Sequence, residues 1–212
     1  MKVVCVLCEG ITEKNFIDDI LCPIAEKRGI ILSATTVRTK VSDRKYGGGI
    51  SRYKKIKDDL IRLCDYRDAV ITSMLDLYQL PSDTPGYSNK LQDHTQWALE
   101  IENAVNNDIG KPNLQFNLMV HEFEALLFSD PSSVTRFDKR LSEMMGAALR
   151  EANGDAEAIN NSFDTSPSHR IAQIRPEYSK RLDGIKIARE IGIEQMRQVC
   201  KHFDAWLTAL GI

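Results

Sequence analysis

Hydrophobic positions in this chain alternate between two rhythms, and the alternation sets the expected architecture. Val3 to Leu7 is a continuous apolar, largely β-branched run bounded by charge, the pattern of a short strand buried on both faces. From Thr12 the period changes, with Phe16, Ile17, Ile20, Leu21, Ile24 and Ala25 at helical spacing and Gly29 placed as a stop. Ile30 to Val37 again reads as a strand. Ile50 to Tyr66 carries Ile50, Tyr53, Ile56, Leu60, Leu63 and Cys64 at helical spacing. Ala69 to Leu75 predicts a third strand ending at Asp76, and Leu91 to Ile109 a helix closed by Gly110. Leu114 to Val120 predicts a fourth strand, followed directly by His121-Glu122-Phe123-Glu124 and an apolar helix. This β-α-β-α-β-α-β-α order implies a mainly parallel sheet with helices on both faces. After Pro131 the strand signals stop. Arg136 to Asn153 and Ile185 to Leu210 read as helical, separated by a polar stretch from Asn160 to Ser168. The expected division is an α/β domain over residues 1–131 with a helical extension over 132–212 packed on it.

Composition narrows this picture without redirecting it. The chain has 212 residues, 42% hydrophobic and 27% charged, with a formal net charge of −2. Bulk charge therefore does not advertise a nucleic-acid binder, and such a role must come from local patches. No apolar run approaches the roughly 18–20 residues of a membrane span, and the first residues run straight into a strand, so a cytoplasmic protein is expected. The five cysteines are odd in number and fall mostly within apolar runs, which reads as reduced core thiols. Cys5 and Cys8 have CxxC spacing but lack a second ligand pair.

The candidate chemistry lies where strands end in acids. Glu9 follows the first strand, with Glu13 one helical turn further on; Asp76 follows the third, and Glu122 and Glu124 the fourth. Carboxyl ends of parallel strands share one edge, so these carboxylates are expected to converge there. Hard cations such as Mg²⁺ and Mn²⁺ take oxygen ligands, and paired ions can stabilise the attacking and leaving oxygens of a phosphodiester. The competing explanation is that acids at strand ends solvate loops or favour helix N-termini.

Two clusters could serve a nucleic-acid partner. Between Arg38 and Lys57 stand Arg38, Lys40, Arg44, Lys45, Arg52, Lys54, Lys55 and Lys57 against Asp43 alone, with Tyr46, Tyr53 and a triple glycine among them. Lysines and arginines so spaced suit phosphates, and the tyrosines suit stacking; a solvated helix face explains the same pattern. The glycine run is not a P-loop, since no Gly-Lys-Ser/Thr follows it. Ser168, His169, Arg170, Arg175, Tyr178, Lys180 and Lys186 form the second cluster, suited to holding a phosphate or a developing oxyanion. His202, beside Phe203 and Trp206 in an amphipathic helix, reads as structural.

Glu9-Gly10-Ile11-Thr12-Glu13 after a strand resembles the first motif of the TOPRIM fold, in the version found in overcoming-lysogenization-defect (OLD) nucleases. Asp76 resembles the first acid of the TOPRIM Asp-x-Asp motif, and His121-Glu122-Phe123-Glu124 the third acidic element. More closely, the chain resembles the DUF4276 family, through Glu9-Gly10-x-Thr12-Glu13, Asp76-Leu77-Tyr78-x-Leu80-Pro81, His121-Glu122-Phe123-Glu124-Ala125-Leu126-Leu127, Pro167-Ser168-x-Arg170-Ile171 and Cys200-x-His202-Phe203-x-x-Trp206. The TOPRIM resemblance implies a TOPRIM-like sheet and a nuclease dependent on Mg²⁺ or Mn²⁺. It assigns Glu9 and Asp76 as catalytic ligands, Glu13, Glu122 and Glu124 as further ligands, and Lys186 or Lys180 as a late catalytic lysine. It departs from TOPRIM at Tyr78, where a second aspartate is expected. It also implies DNA or RNA as partner, a phage-defence or mobile-element setting and a separate AAA/ABC-type ATPase, since this chain has no Walker motif of its own. Self-association stays open. The alternatives are a non-catalytic binding or effector subunit beside that ATPase, and phosphotransfer on a small nucleotide.

Overall fold

The computed structural model describes residues 1–38, 50–159 and 165–212. The chain forms two compact units, one of Met1–Met119 with Gly211–Ile212 and the other of Val120–Leu210.

The first unit is built on a mainly parallel sheet flanked by helices. β1 (Lys2–Cys8) lies between β2 (Ile30–Thr36) and β3 (Ala69–Asp76), with Cys8 opposite Thr36 on one side and Met74 on the other. A central position explains the unbroken apolar run, since Val4, Val6, Leu7 and Cys8 are all buried. The connection from β1 to β2 is α1 (Ile11–Phe16), a π-turn (Ile17–Leu21) and α2 (Cys22–Lys27). The π-turn ends just before Pro23, which has no N–H to continue the helical ladder, and Cys22 N–H instead reaches back to the Ile17 carbonyl. α3 (Tyr53–Cys64) leads into β3, and α4 (His94–Ile109), stopped by Gly110 at φ 61°, leads out of it. Phe16, Ile56, Leu60, Ile71, Met74 and Trp97 are among the fully buried side chains.

The expected fourth strand exists in register but not as a continuous ladder. β4 (Leu114–Gln115) pairs with Ile71 and Thr72, and β5 (Leu118–Met119) pairs with Leu75 and Asp76. Between them the Ser73 hydroxyl takes the ladder's place. It donates to the Asn117 carbonyl at 2.7 Å and accepts from the Asn117 N–H at 3.0 Å. The outer edge is covered as well. Phe116 N–H donates to Asn106 Oδ1 at 3.0 Å and Leu118 N–H to Glu102 Oε1 at 2.8 Å. Four residues along a helix rise about 6 Å and two along a strand about 6.6 Å, so Glu102 and Asn106 match alternate edge N–H groups. A helix thus closes an edge that would otherwise template pairing. Glu102→Ala strands the buried Leu118 N–H and is expected to cost about 1–3 kcal/mol in urea unfolding, with Glu102→Gln costing less.

The second unit is helical: α5 (Pro131–Val134), α6 (Lys139–Glu151), α7 (Pro167–Ile174), α8 (Ile185–Ile191), α9 (Ile193–Val199) and α10 (Lys201–Leu210). Three expectations change here. The segment after Glu122 is a 3₁₀ stretch (Phe123–Phe128), not an α-helix, and all six of its residues are buried, which removes any amphipathic period. The single helix expected over Ile185–Leu210 is broken at Gly192, φ 79°, and at Cys200, which has extended geometry. The polar stretch ends earlier than expected, because Ser166 accepts the His169 N–H and starts α7 at Pro167.

Glu157 holds the start of α10, accepting the His202 and Phe203 N–H groups at 2.7 and 3.0 Å. Burial pushes its carboxyl above the ordinary range, more than these two bonds pull it down. A raised acid favours folding while protonated and loses that contribution as pH rises through its folded value. The stability of wild type minus that of Glu157→Gln, measured by chemical denaturation, should therefore fall between acid and neutral pH.

All five cysteines are free thiols, with Cys8, Cys64 and Cys200 buried. Among the described residues no helix is long and apolar enough to cross a membrane.

Candidate active site

The strand order β2-β1-β3-β4 reverses direction between β1 and β3. A crevice opens at the carboxyl ends of strands where such a reversal occurs, and ligands of open α/β sheets bind there. Glu9 and Asp76 stand at that point. The Glu9 N–H continues the ladder to the Met74 carbonyl at 3.2 Å, and its Oε2 accepts the Asp76 N–H at 3.3 Å. The Glu9 side chain thus substitutes for a backbone acceptor at the end of β3 and ties itself to the Asp76 main chain. Asp76 is 1% exposed.

Glu13 is committed locally. Its Oε2 accepts the Gly10 N–H at 3.0 Å, satisfying a donor at the start of α1. Gly10 has φ −145° and ψ −168°, ordinary extended geometry. A Cβ here would lie 3.4 Å from the Glu13 carboxylate, close to an ordinary contact.

Glu122 and Glu124 belong to the second unit, where each has a partner. The Glu122 oxygens accept the Ser168 N–H at 2.7 Å and the Ser168 hydroxyl at 2.9 Å, so this carboxylate anchors the first turn of α7. Glu124, 1% exposed, pairs with Lys180 at 3.1 Å, and Lys180 also lies 5.8 Å over the Phe123 ring. Beside them burial, then the Glu124 charge, holds the Tyr178 hydroxyl well above its ordinary range. Gly184 is required here, because a Cβ would meet that hydroxyl at 2.7 Å and Phe123 at 3.3 Å. Lys186, by contrast, is exposed on α8. Arg170 Nε donates to the Thr165 carbonyl, and the Ser166 hydroxyl and His169 Nδ1 lie within hydrogen-bond reach of each other.

Two members of the basic cluster are ion-paired, Lys54 with Asp58 and Lys57 with Asp108. The Arg38 backbone N–H donates to Asp59 at 2.8 Å, and the Arg38 residue is exposed. Arg52 is exposed and Lys55 partly so. Lys45 and Tyr46 lie outside the described residues.

His94 carries no signal in the sequence. It opens α4, and its Nδ1 lies 3.3 Å from the Tyr78 hydroxyl, two residues beyond Asp76. Only the intervening loop brings the two rings together, so no spacing rule could have paired them.

Among the described residues no group of three or more His, Cys, Asp or Glu side chains is arranged to hold a metal ion. The Glu9–Asp76 pair is therefore not an all-protein cage of the kind Zn²⁺ or Ca²⁺ uses. Mg²⁺ and Mn²⁺ differ from these in needing only one or two carboxylates, with other positions left to water and phosphate.

An α/β protein with two acidic residues, Glu9 and Asp76, at the switch point of a mainly parallel sheet is the class that the fold and this site define. Within that class, residues 8–211 match the model of the family described as a domain of unknown function (DUF4276), and the chain belongs to that family. Comparisons with curated proteins and with solved structures returned no match.

Proposed function

We propose that this protein is a nuclease-like hydrolase that acts on nucleic-acid phosphodiester bonds with Mg²⁺ or Mn²⁺. The observation that carries the reading is the Glu9–Asp76 pair, two acids 67 residues apart in sequence joined by one hydrogen bond at the β1/β3 switch point. The resemblance of Glu9-Gly10-Ile11-Thr12-Glu13 and Asp76 to TOPRIM motifs supports it. When bound, the cation supplies charge neutralisation on the phosphate and a lowered pKa for an attacking water.

The chain's own contribution is to orient and to exclude. The Glu9 N–H is held by the β3 ladder and its Oε2 by the Asp76 N–H, and Asp76 is buried, so both residues are positioned before substrate arrives. Glu9, besides serving as a ligand with Asp76, can accept a proton from the attacking water, because it is the less buried of the two. Tyr78 in place of a second aspartate leaves one acid fewer than TOPRIM enzymes carry, which fits a site that relies on substrate oxygens.

Partners follow from the same reading: DNA or RNA as substrate, and a separate ATPase supplied by another chain. Metal-dependent cleavage of single- and double-stranded DNA and RNA by wild type, Glu9→Ala and Asp76→Ala tests it. Activity confined to wild type supports the reading, and equal residual activity in all three proteins sinks it.

A further inference from the structure

Immediately beyond Asp76 the chain turns through Leu77–Gln79 and places Tyr78 at the head of a row of rings. Tyr78 and His94 meet edge to face at 5.8 Å and 79°. His94 and Trp97 follow at 6.3 Å, Trp97 and Tyr87 at 5.2 Å. Lys90 sits 5.7 Å over the Trp97 ring. Trp97 is 1% exposed and forms the floor, whereas Tyr78, Tyr87 and His94 are partly exposed and Lys90 is exposed.

We infer that this row, led by Tyr78 and His94, stacks unpaired nucleobases next to the Glu9–Asp76 pair, making single-stranded nucleic acid the substrate class. The inference rests on the reading that this rim acts on phosphodiesters. Three features carry it. The first is proximity: two residues span at most about 7 Å between α-carbons, so a phosphate held at Asp76 has its neighbouring bases within reach of Tyr78. The second is pre-organisation. The 3.3 Å contact between the Tyr78 hydroxyl and His94 Nδ1 fixes both rings, so little rotamer freedom is lost when a base arrives. An edge-to-face pair also leaves each ring a face that its partner does not cover.

The third is charge. Burial and the Lys90 ammonium hold His94 below its ordinary pKa, so the imidazole is neutral at neutral pH and stacks without desolvating a cation. Lys90 supplies the positive charge that a backbone needs alongside. Paired bases in a duplex do not offer their faces, whereas those of a single strand do.

The test compares three labelled probes by fluorescence anisotropy in EDTA: a short oligo(dT), an abasic strand of equal length, and a hairpin duplex. An oligo(U) arm covers RNA. The wild type should bind the base-bearing strands more tightly than either other probe. Tyr78→Ala should weaken oligo(dT) binding about 5- to 150-fold, to the level of the abasic strand, while Tyr78→Phe retains the preference. His94→Ala provides a second variant should Tyr78→Ala fail to fold by circular dichroism. Equal affinity for oligo(dT) and the abasic strand overturns the stacking site but leaves the phosphodiester reading standing. Binding of none of the probes overturns the stacking site as well, and the phosphodiester reading then stands or falls on the metal-dependent cleavage assay alone.

Discussion

Asp76→Asn should abolish metal-dependent cleavage and, with it, the thermal stabilisation that Mn²⁺ gives the wild type. Asp76 is fully buried at the end of a central strand, with its backbone N–H held by Glu9. The substitution keeps the shape and the backbone bond and removes only the charge that a cation needs. Removing one well-placed electrostatic group from a hydrolytic site typically costs about 10²–10³-fold in rate. Loss of a carboxylate from a two-carboxylate site should reach at least that. At a Mn²⁺ concentration of about 100 times its dissociation constant, linkage stabilises the wild type by roughly 2.7 kcal/mol. For a chain of this size that is a melting shift of roughly 5–10 °C.

In EDTA the ordering reverses. A buried charge with no cation beside it is costly, so Asp76→Asn should melt at or above the wild type. Glu9→Gln should behave alike in activity. Glu13→Gln separates the roles, because Glu13 is tied to the Gly10 N–H. It should lower stability by about 1 kcal/mol and leave the Mn²⁺-induced shift in place. Calorimetric Mn²⁺ titration and scanning calorimetry of the four proteins check this. A Mn²⁺ affinity unchanged by Asp76→Asn would refute the site.

What could be read in the sequence follows from where side chains sit. β1 and β3 are central and largely buried, so an unbroken apolar run marks β1 and a run interrupted only by Thr72 and Ser73 marks β3; their ends at Glu9 and Asp76 follow directly. The edge segment from Leu114 was harder, because Ser73 and Asn117 exchange bonds that the backbone would otherwise make. Phe123–Phe128 misleads for the opposite reason: burial on every side erases the period that would tell 3₁₀ from α. Helix α4 hides its polar edge-capping pair among apolar neighbours. Glu102 and Asn106 look like a solvated face until the N–H groups of Phe116 and Leu118 come to meet them. Tyr78 and His94 were out of reach, since the loop that joins them has no period to read. The acids themselves were legible. Which of them are committed to helix termini, Glu13 and Glu122, was not, because donors such as the Gly10 and Ser168 N–H groups carry no side-chain signature.

Lys180→Met should produce the largest loss of stability in the second unit, about 3 kcal/mol or more at neutral pH. Glu124 is buried and Lys180 lies 3.1 Å from it with less than a third of its side chain exposed, so removing the ammonium leaves a carboxylate in a water-poor setting. Replacing the lysine with an apolar chain of similar length keeps the contact with Phe123 and isolates the charge. The sign with pH follows. An unpaired buried carboxylate has a raised folded pKa, so its cost is present above that value and relieved as the acid protonates. The deficit of Lys180→Met relative to wild type should therefore shrink as pH falls from neutral toward the carboxyl range. The double variant Lys180→Met/Glu124→Gln should recover much of the loss, because no charge is then left unpaired. A double-mutant cycle by urea denaturation supplies the coupling. Strict additivity of the two single changes would show that Glu124 and Lys180 do not act as a pair. Lys186→Met, on an exposed position of α8, serves as the control and should shift stability by no more than about 0.5 kcal/mol.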